Sequence, residues 1–164
     1  MYHNYVGIDP GIKGGIAVIT PKRVYTYPMP DTEYEMWGRI EAIAVKFQAG
    51  KTHAMIEKVH SMPSQSAQSG FTFGMGYGGI RMAVIGCHLS LQEATPQRWM
   101  KALSVGRRLK SMTTTQWKKK LVGIAQRLYP NAKAWKENKS YQYAVSDALL
   151  IAHYCKLLNA GETE

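Results

Sequence analysis

The sequence predicts a mixed α/β sheet covered by helices, and three observations carry that prediction. Three short strand-like runs joined by tight turns open the chain. Strand and helix patterns then alternate. A final long helical pattern is apolar on most of its faces, as a buried helix is.

Residues 5–9 alternate, with Val6 and Ile8 on one side and Tyr5, Gly7 and Asp9 on the other, until Pro10-Gly11 breaks the run. Residues 15–20 form the second strand, Pro21-Lys22 the turn, and residues 24–27 the third. Asp31 is the expected N-cap of the first helix, with Glu33 and Glu35 favoured in its first turn by the helix dipole. Met36, Ile40, Ile43 and Phe47 recur at helical spacing, and Gly50 is the expected stop. Residues 52–59 make the fourth strand, with Glu57 near its end.

The polar stretch 60–69 has no period and reads as a loop. A helix is expected over residues 70–86, with Gly70, Gly74 and Gly78 on one face, open to close packing by the sheet or a second subunit. Residues 88–93 read as the fifth strand. Ala94-Thr95-Pro96 then leads into a short helix carrying Arg98, Trp99 and Lys101. Residues 104–111 form a basic loop. A helix over residues 114–128 places Trp117, Leu121, Ile124, Ala125 and Leu128 on one stripe and lysines opposite. The last helix, residues 142–158, carries Asp147.

A chain of 164 residues fits one domain, taken here as residues 1–164. No run is long enough to cross a membrane, and no secretory leader is visible at Met1. Cys87 and Cys155 lack Cys-x-x-Cys spacing and sit in apolar surroundings, so buried reduced thiols are expected rather than a disulfide or a zinc site. The chain therefore reads as cytoplasmic.

Charge narrows the class of partner. Residues 98–139 hold 12 basic residues and one acid, Glu137, out of 21 Lys plus Arg and 11 Asp plus Glu in the chain. Arg98, Lys101, Arg107, Arg108 and Lys110, then Lys118, Lys119 and Lys120, are interleaved with Trp99, Trp117 and Trp135. Such a surface attracts phosphates and releases counterions on binding them, which favours nucleic acid over a merely solvated face.

Asp9, Glu57 and Asp147 stand in otherwise apolar elements. Singly, they are ordinary as a turn residue, a strand end and a helix residue. A parallel crossover from the first strand to the fourth puts Asp9 and Glu57 at the same sheet end, where ligands of open α/β sheets bind, and a covering helix can deliver Asp147. Clustered carboxylates repel unless cations neutralise them, and oxygen ligands select Mg²⁺ or Mn²⁺. Two such ions can hydrolyse a phosphodiester.

These motifs carry a family resemblance. Gly7-Ile8-Asp9-Pro10-Gly11 followed by Gly14-Gly15-Ile16-Ala17-Val18 resembles the opening of RuvC-type Holliday junction resolvases. Ala54-Met55-Ile56-Glu57-Lys58-Val59 resembles the strand bearing their second acid, and Ser146-Asp147-Ala148-Leu149-Leu150-Ile151-Ala152 their final helix. Residues 71–81 are similar to the family's glycine-rich dimer helix, and Glu93-Ala94-Thr95-Pro96 to the strand end after it.

The resemblance implies an RNase H-like fold, a five-stranded mixed sheet in the order 3-2-1-4-5 flanked by helices. It implies a homodimer that makes paired incisions in branched DNA, four-way junctions above all, in a bacterial cell or phage-infected host. Asp9, Glu57 and Asp147 match family metal ligands for two Mg²⁺ ions per site, Mn²⁺ substituting, with no small-molecule cofactor. Lys101 and, more loosely, Lys118 match basic catalytic residues.

Two departures stand out. Ala144 occupies a position where the family has an acid or histidine, and His60 stands where it often has a phenylalanine that wedges into the junction. His60 remains a candidate for base stacking. A YqgF-type nuclease acting on RNA and a junction-binding protein with weakened catalysis stay open as alternatives. The chain is too short for a two-lobed actin-like ATPase.

Overall fold

Alternation along the first strand sets the layering of the molecule. The structure, a computed structural model, describes residues 3–59 and 66–160. Strands β1 (Asn4–Asp9), β2 (Gly15–Ile19), β3 (Val24–Pro28), β4 (Thr52–Glu57) and β5 (Ser90–Ala94) form one sheet in the order β3-β2-β1-β4-β5. The first three are antiparallel, and β4 and β5 run parallel to β1. The expected RNase H-like sheet is therefore present.

Val6 and Ile8 point into one apolar core with Met36, Ile40 and Ile43 of α1 (Glu33–Phe47) and Ile80, Ala83 and Val84 of α2 (Ala67–Gly86). Tyr5 and Met55 point the other way, into a second core. That core holds Trp99 of α3 (Pro96–Ala102), Trp117 and Leu121 of α4 (Thr114–Leu128) and Leu149 and Ala152 of α5 (Lys139–Asn159). Each fully buried Leu or Ile contributes about 1.5–3 kcal/mol, so the two cores together hold the layers in place.

The close seat of α5 on β1 decides where the site forms. A Cβ on Gly7 would lie 2.1 Å from Ala148 O and 2.2 Å from Ala152 N, so only glycine lets the two backbones meet there. Tyr141 OH donates to Thr26 O at 2.7 Å and pins the start of α5 to β3.

Several boundaries differ from the sequence reading. Thr32, not Asp31, caps α1, because the Thr32–Glu35 capping box satisfies two backbone donors at once. The helix ends at Phe47 before Gly50, since Thr52 Oγ1 and Asn4 Nδ2 take up its last carbonyls. Ser66 caps α2, so residues 66–69 belong to a helix start rather than to a loop; residues 60–65, His60 among them, lie outside the described residues. His88 takes a left-handed turn at φ 59°, which delays β5 to Ser90. Asn138 caps α5, which begins at Lys139, three residues before its expected start. Cys155 is buried, Cys87 is only half-buried, and both are free thiols.

Candidate active site

Asp9 ends β1 and Glu57 ends β4. The parallel register pairs Ile8 with Ile56, so the next step sets the two acids side by side on the face that α5 covers. Asp147 reaches the same place because its neighbour Ala148 lies against Gly7. Asp9 is further fixed by Gly11 N, which donates to its Oδ1 at 3.3 Å, and by the tight turn to Gly14, where a Cβ would come within 2.8 Å of Asp9 Cγ.

The electrostatics tie the three acids together. Burial raises Asp9 to about 6, with the Asp147 charge adding to it and Lys118 and Gly11 N opposing. Burial raises Glu57 to about 7; the Trp99 hydrogen bond opposes this, the charges of Asp9 and Asp147 add to it, and Lys118 opposes again. Lys118 Nζ donates to Asp147 Oδ2 at 2.7 Å. Burial works against that ammonium, but Asp147, Asp9 and Glu57 overcome it and hold its pKa above the ordinary lysine value. One cation thus faces three carboxylates, which leaves the cluster short of positive charge. Among the described residues, no three His, Cys, Asp or Glu side chains already form a metal-binding group.

Beside the acids opens a groove of about 730 Å³, lined by Asp9, Lys13, Gly14, Lys118, Tyr143 and Ala144 among others. Ala144 therefore borders the site, one helical turn from Asp147. Glu93 does not take the place of the missing acid. It lies opposite Ile56 in the register, on the other face of the sheet, where Tyr77 OH donates to it at 2.7 Å and Arg81 pairs with it.

The basic residues divide into two groups. Consecutive residues of α4 point in different directions, so Lys118 is half-buried in the acid cluster while Lys119 is exposed. Arg98, Lys101, Arg107, Arg108, Lys110 and Lys119 are exposed, and Lys120 is half-buried with its ammonium 5.3 Å from the Trp117 ring. Arg108 Nη2 donates to Met112 O and Thr114 Oγ1, bracing the basic loop. Lys101 takes no part in the ion pairs found among the described residues, Arg81–Glu93 and Lys118–Asp147. The tryptophans correct the picture of an aromatic surface: Trp99 and Trp117 are buried and Trp135 is half-buried, donating to Tyr129 O. Residues 95–160 hold thirteen Lys and Arg against two acids, an excess that accounts for the whole net charge of +10.

The sequence reading did not assign Trp99 to the site. Its Nε1 donates to Glu57 Oε1 at 2.9 Å. The available signal was its place, one turn into a helix that starts directly after the strand beside Glu57.

A five-stranded mixed sheet in this order, flanked by helices, is an RNase H-like fold. Among solved structures the fold matches RuvC of Thermus thermophilus in complex with a Holliday junction substrate, at TM-score 0.63 and 14% identity over 98% of this chain and 96% of that one. A second Thermus thermophilus RuvC structure matches at TM-score 0.58 and 17% identity, over 97% of this chain and 96% of the other. At such identities the likeness is one of fold. Neither a protein-family model nor a curated protein matches the chain. No helix among the described residues is long and apolar enough to cross a membrane.

Proposed function

We propose that this chain is a metal-dependent endonuclease that cuts branched DNA, four-way junctions in particular. It acts in the cytoplasm as a single RNase H-like unit over residues 1–164, paired as a homodimer. The observation that carries this reading is the meeting of Asp9, Glu57, Asp147 and Lys118 at one end of a RuvC-like sheet, beside a face that holds the chain's excess positive charge.

The donor set fits a hard cation. It consists of carboxylates, and two of them are pushed toward their neutral forms by burial, a penalty that an added positive charge relieves. Asp9, Glu57 and Asp147 would hold Mg²⁺ or Mn²⁺, which supplies activation of a water and neutralisation of charge on a phosphodiester. Lys118 keeps Asp147 placed and carries a proton at neutral pH, so it offers a donor to a phosphate oxygen at the same point. The exposed cations Arg98, Lys101, Arg107, Lys110 and Lys119 hold the nucleic-acid backbone over the site.

Homodimer formation is supported by α2. Phe71, Met75 and Met82 are 70%, 55% and 62% exposed, and Gly74 and Gly78 have nothing within 4 Å of a built Cβ. A two-fold dimer matches the two equivalent strands of a four-way junction.

The experiment is incubation with synthetic four-way junction, linear duplex, flap and RNA hairpin substrates, each with Mg²⁺ or Mn²⁺. Preferential incision of the junction is expected. Cutting of the RNA hairpin instead would point to an RNA nuclease, and junction binding without incision to a binding protein.

A further inference from the structure

Trp99 has no exposed surface, and a buried indole N–H needs an acceptor. Tryptophan has that single donor and no acceptor, so its one polar bond reports what the side chain is placed to do. Trp135 meets the need with a backbone carbonyl, Tyr129 O, at 2.7 Å. Trp99 instead spends its only donor on Glu57 Oε1, a carboxylate beside Asp9.

The indole is itself held from both directions. Ala94, the register partner of Glu57, ends β5 and shares the Trp99 core. Thr95 caps α3 by accepting from Arg98 N, and Pro96 presets the first turn, so the chain is steered from the strand end back over Glu57. The ring has no freedom to swing away, because Val105, Leu149 and their neighbours close the core around it. Among the described residues Glu57 makes no other side-chain hydrogen bond. One oxygen is pinned, and the other has no hydrogen-bond partner among the described residues.

We propose that Trp99 is a positioning residue, whose indole N–H pins Glu57 Oε1 and presents the second carboxylate oxygen to a cation. The proposal rests on the reading of Glu57 as a metal ligand. A purely structural Trp99 would only fill space, and any group of its shape would serve equally. The distinction is therefore between the N–H and the shape.

The test is Mn²⁺ binding to the full chain without DNA, by titration calorimetry. Trp99→Phe removes the donor. Replacement of Trp99 by benzothienylalanine keeps the bicyclic shape and removes only the N–H, so it remains decisive if the phenylalanine variant fails to fold. Both should bind Mn²⁺ about 10–100-fold more weakly, the usual cost of losing a partner that orients a ligand. The Mn²⁺ concentration for half-maximal cleavage should rise by the same factor, with the rate at saturating metal near wild type. Trp135→Phe, which removes an indole N–H bonded to a backbone carbonyl at the edge of the same core, should leave both unchanged. Wild-type Mn²⁺ affinity in the benzothienylalanine protein would overturn the proposal. Glu57→Gln separates the two levels. If it too binds Mn²⁺ like wild type, the metal-site reading itself fails; if it binds weakly while the Trp99 variants bind normally, only the positioning role fails.

Discussion

The Lys118 ammonium lies 2.7 Å from Asp147 Oδ2, joining α4 to α5 at the mouth of the acid cluster. Around that bond Trp117, Leu121 and Ala125 of α4 pack in one core with Leu149 and Ala152 of α5. The apolar stripe of α4 thus fixes the position of a charged residue next to it. Lys118 holds the place of a cation among three carboxylates and is at the same time a donor a phosphate can use.

Lys118→Met keeps most of the stem and removes the charge. The variant should bind Mn²⁺ at least as tightly as wild type, because a competing cation is gone. It should nevertheless cleave at least about tenfold more slowly, through loss of a charged donor at the phosphate. Calorimetry and single-turnover cleavage give the two numbers. Equal losses of metal affinity and rate would show that Lys118 only shapes the site.

The raised carboxyls predict a pH effect on the metal-free protein. Asp9 stands at about 6 against an ordinary 3.8, and Glu57 at about 7 against 4.5. A carboxyl raised on folding holds its proton more tightly in the folded state. Its contribution to stability is therefore full below the ordinary value and is lost as pH rises through the raised one. The window runs from about pH 4 to pH 7, and each residue costs on the order of 3 kcal/mol above it. Without metal, Asp9→Asn/Glu57→Gln should melt several degrees above wild type at pH 8, with the gap closing toward pH 4. Mn²⁺ should raise wild-type Tm at pH 8 and leave the variant unmoved. A gap independent of pH would contradict the assignment.

Gly74→Leu tests the dimer without harming the fold. A Cβ at Gly74 meets nothing within 4 Å, and leucine favours helix over glycine by about 0.8 kcal/mol. The variant should match or exceed wild-type monomer stability yet sediment as a monomer, with paired incision lost. A Gly74→Leu dimer of wild-type affinity would move the interface elsewhere.

The exposed cations are read by salt. Each phosphate that a side chain neutralises adds about 0.9 to the slope of log K against log[salt] for junction binding. Replacing Arg107, Lys110 and Lys119 by Ala should flatten that slope by this amount for every one of the three that meets a phosphate. Lys118 is left out because it belongs to the acid cluster. An unchanged slope would make these residues solvated surface only.

Much of this was readable in the residues. The alternation of Val6 and Ile8 against Tyr5, Gly7 and Asp9 defined the two faces of β1, because a strand's period is strict. The 114–128 helix was read with the bounds it has, and the structure supplies the cause at its start, a capping box between Thr113 and Gln116. Capping choices between neighbours were not readable. Asp31 and Thr32 are both good caps, and only the reciprocal bond from Glu35 decides. The role of Trp99 was hidden for a different reason, and Lys118 was reached only as a loose match within the family resemblance. A lysine and a tryptophan in a basic, aromatic stretch look like surface, and the packing of α3 and α4 under α5 turns them inward. Glu93 shows the converse: a single step of register places it on the far side of the sheet from Glu57.

The central claim is that Asp9, Glu57 and Asp147 form the metal-dependent cleavage site of a junction nuclease. The most direct measurement is incision of a labelled synthetic four-way junction by wild type and Asp9→Asn, with Mg²⁺, with Mn²⁺ and with excess EDTA, alongside a binding assay on the same junction. The account predicts incision by wild type with either metal, none in EDTA, and none by Asp9→Asn, whose junction affinity stays near wild type. Incision in excess EDTA, or by Asp9→Asn at the wild-type rate, would contradict it.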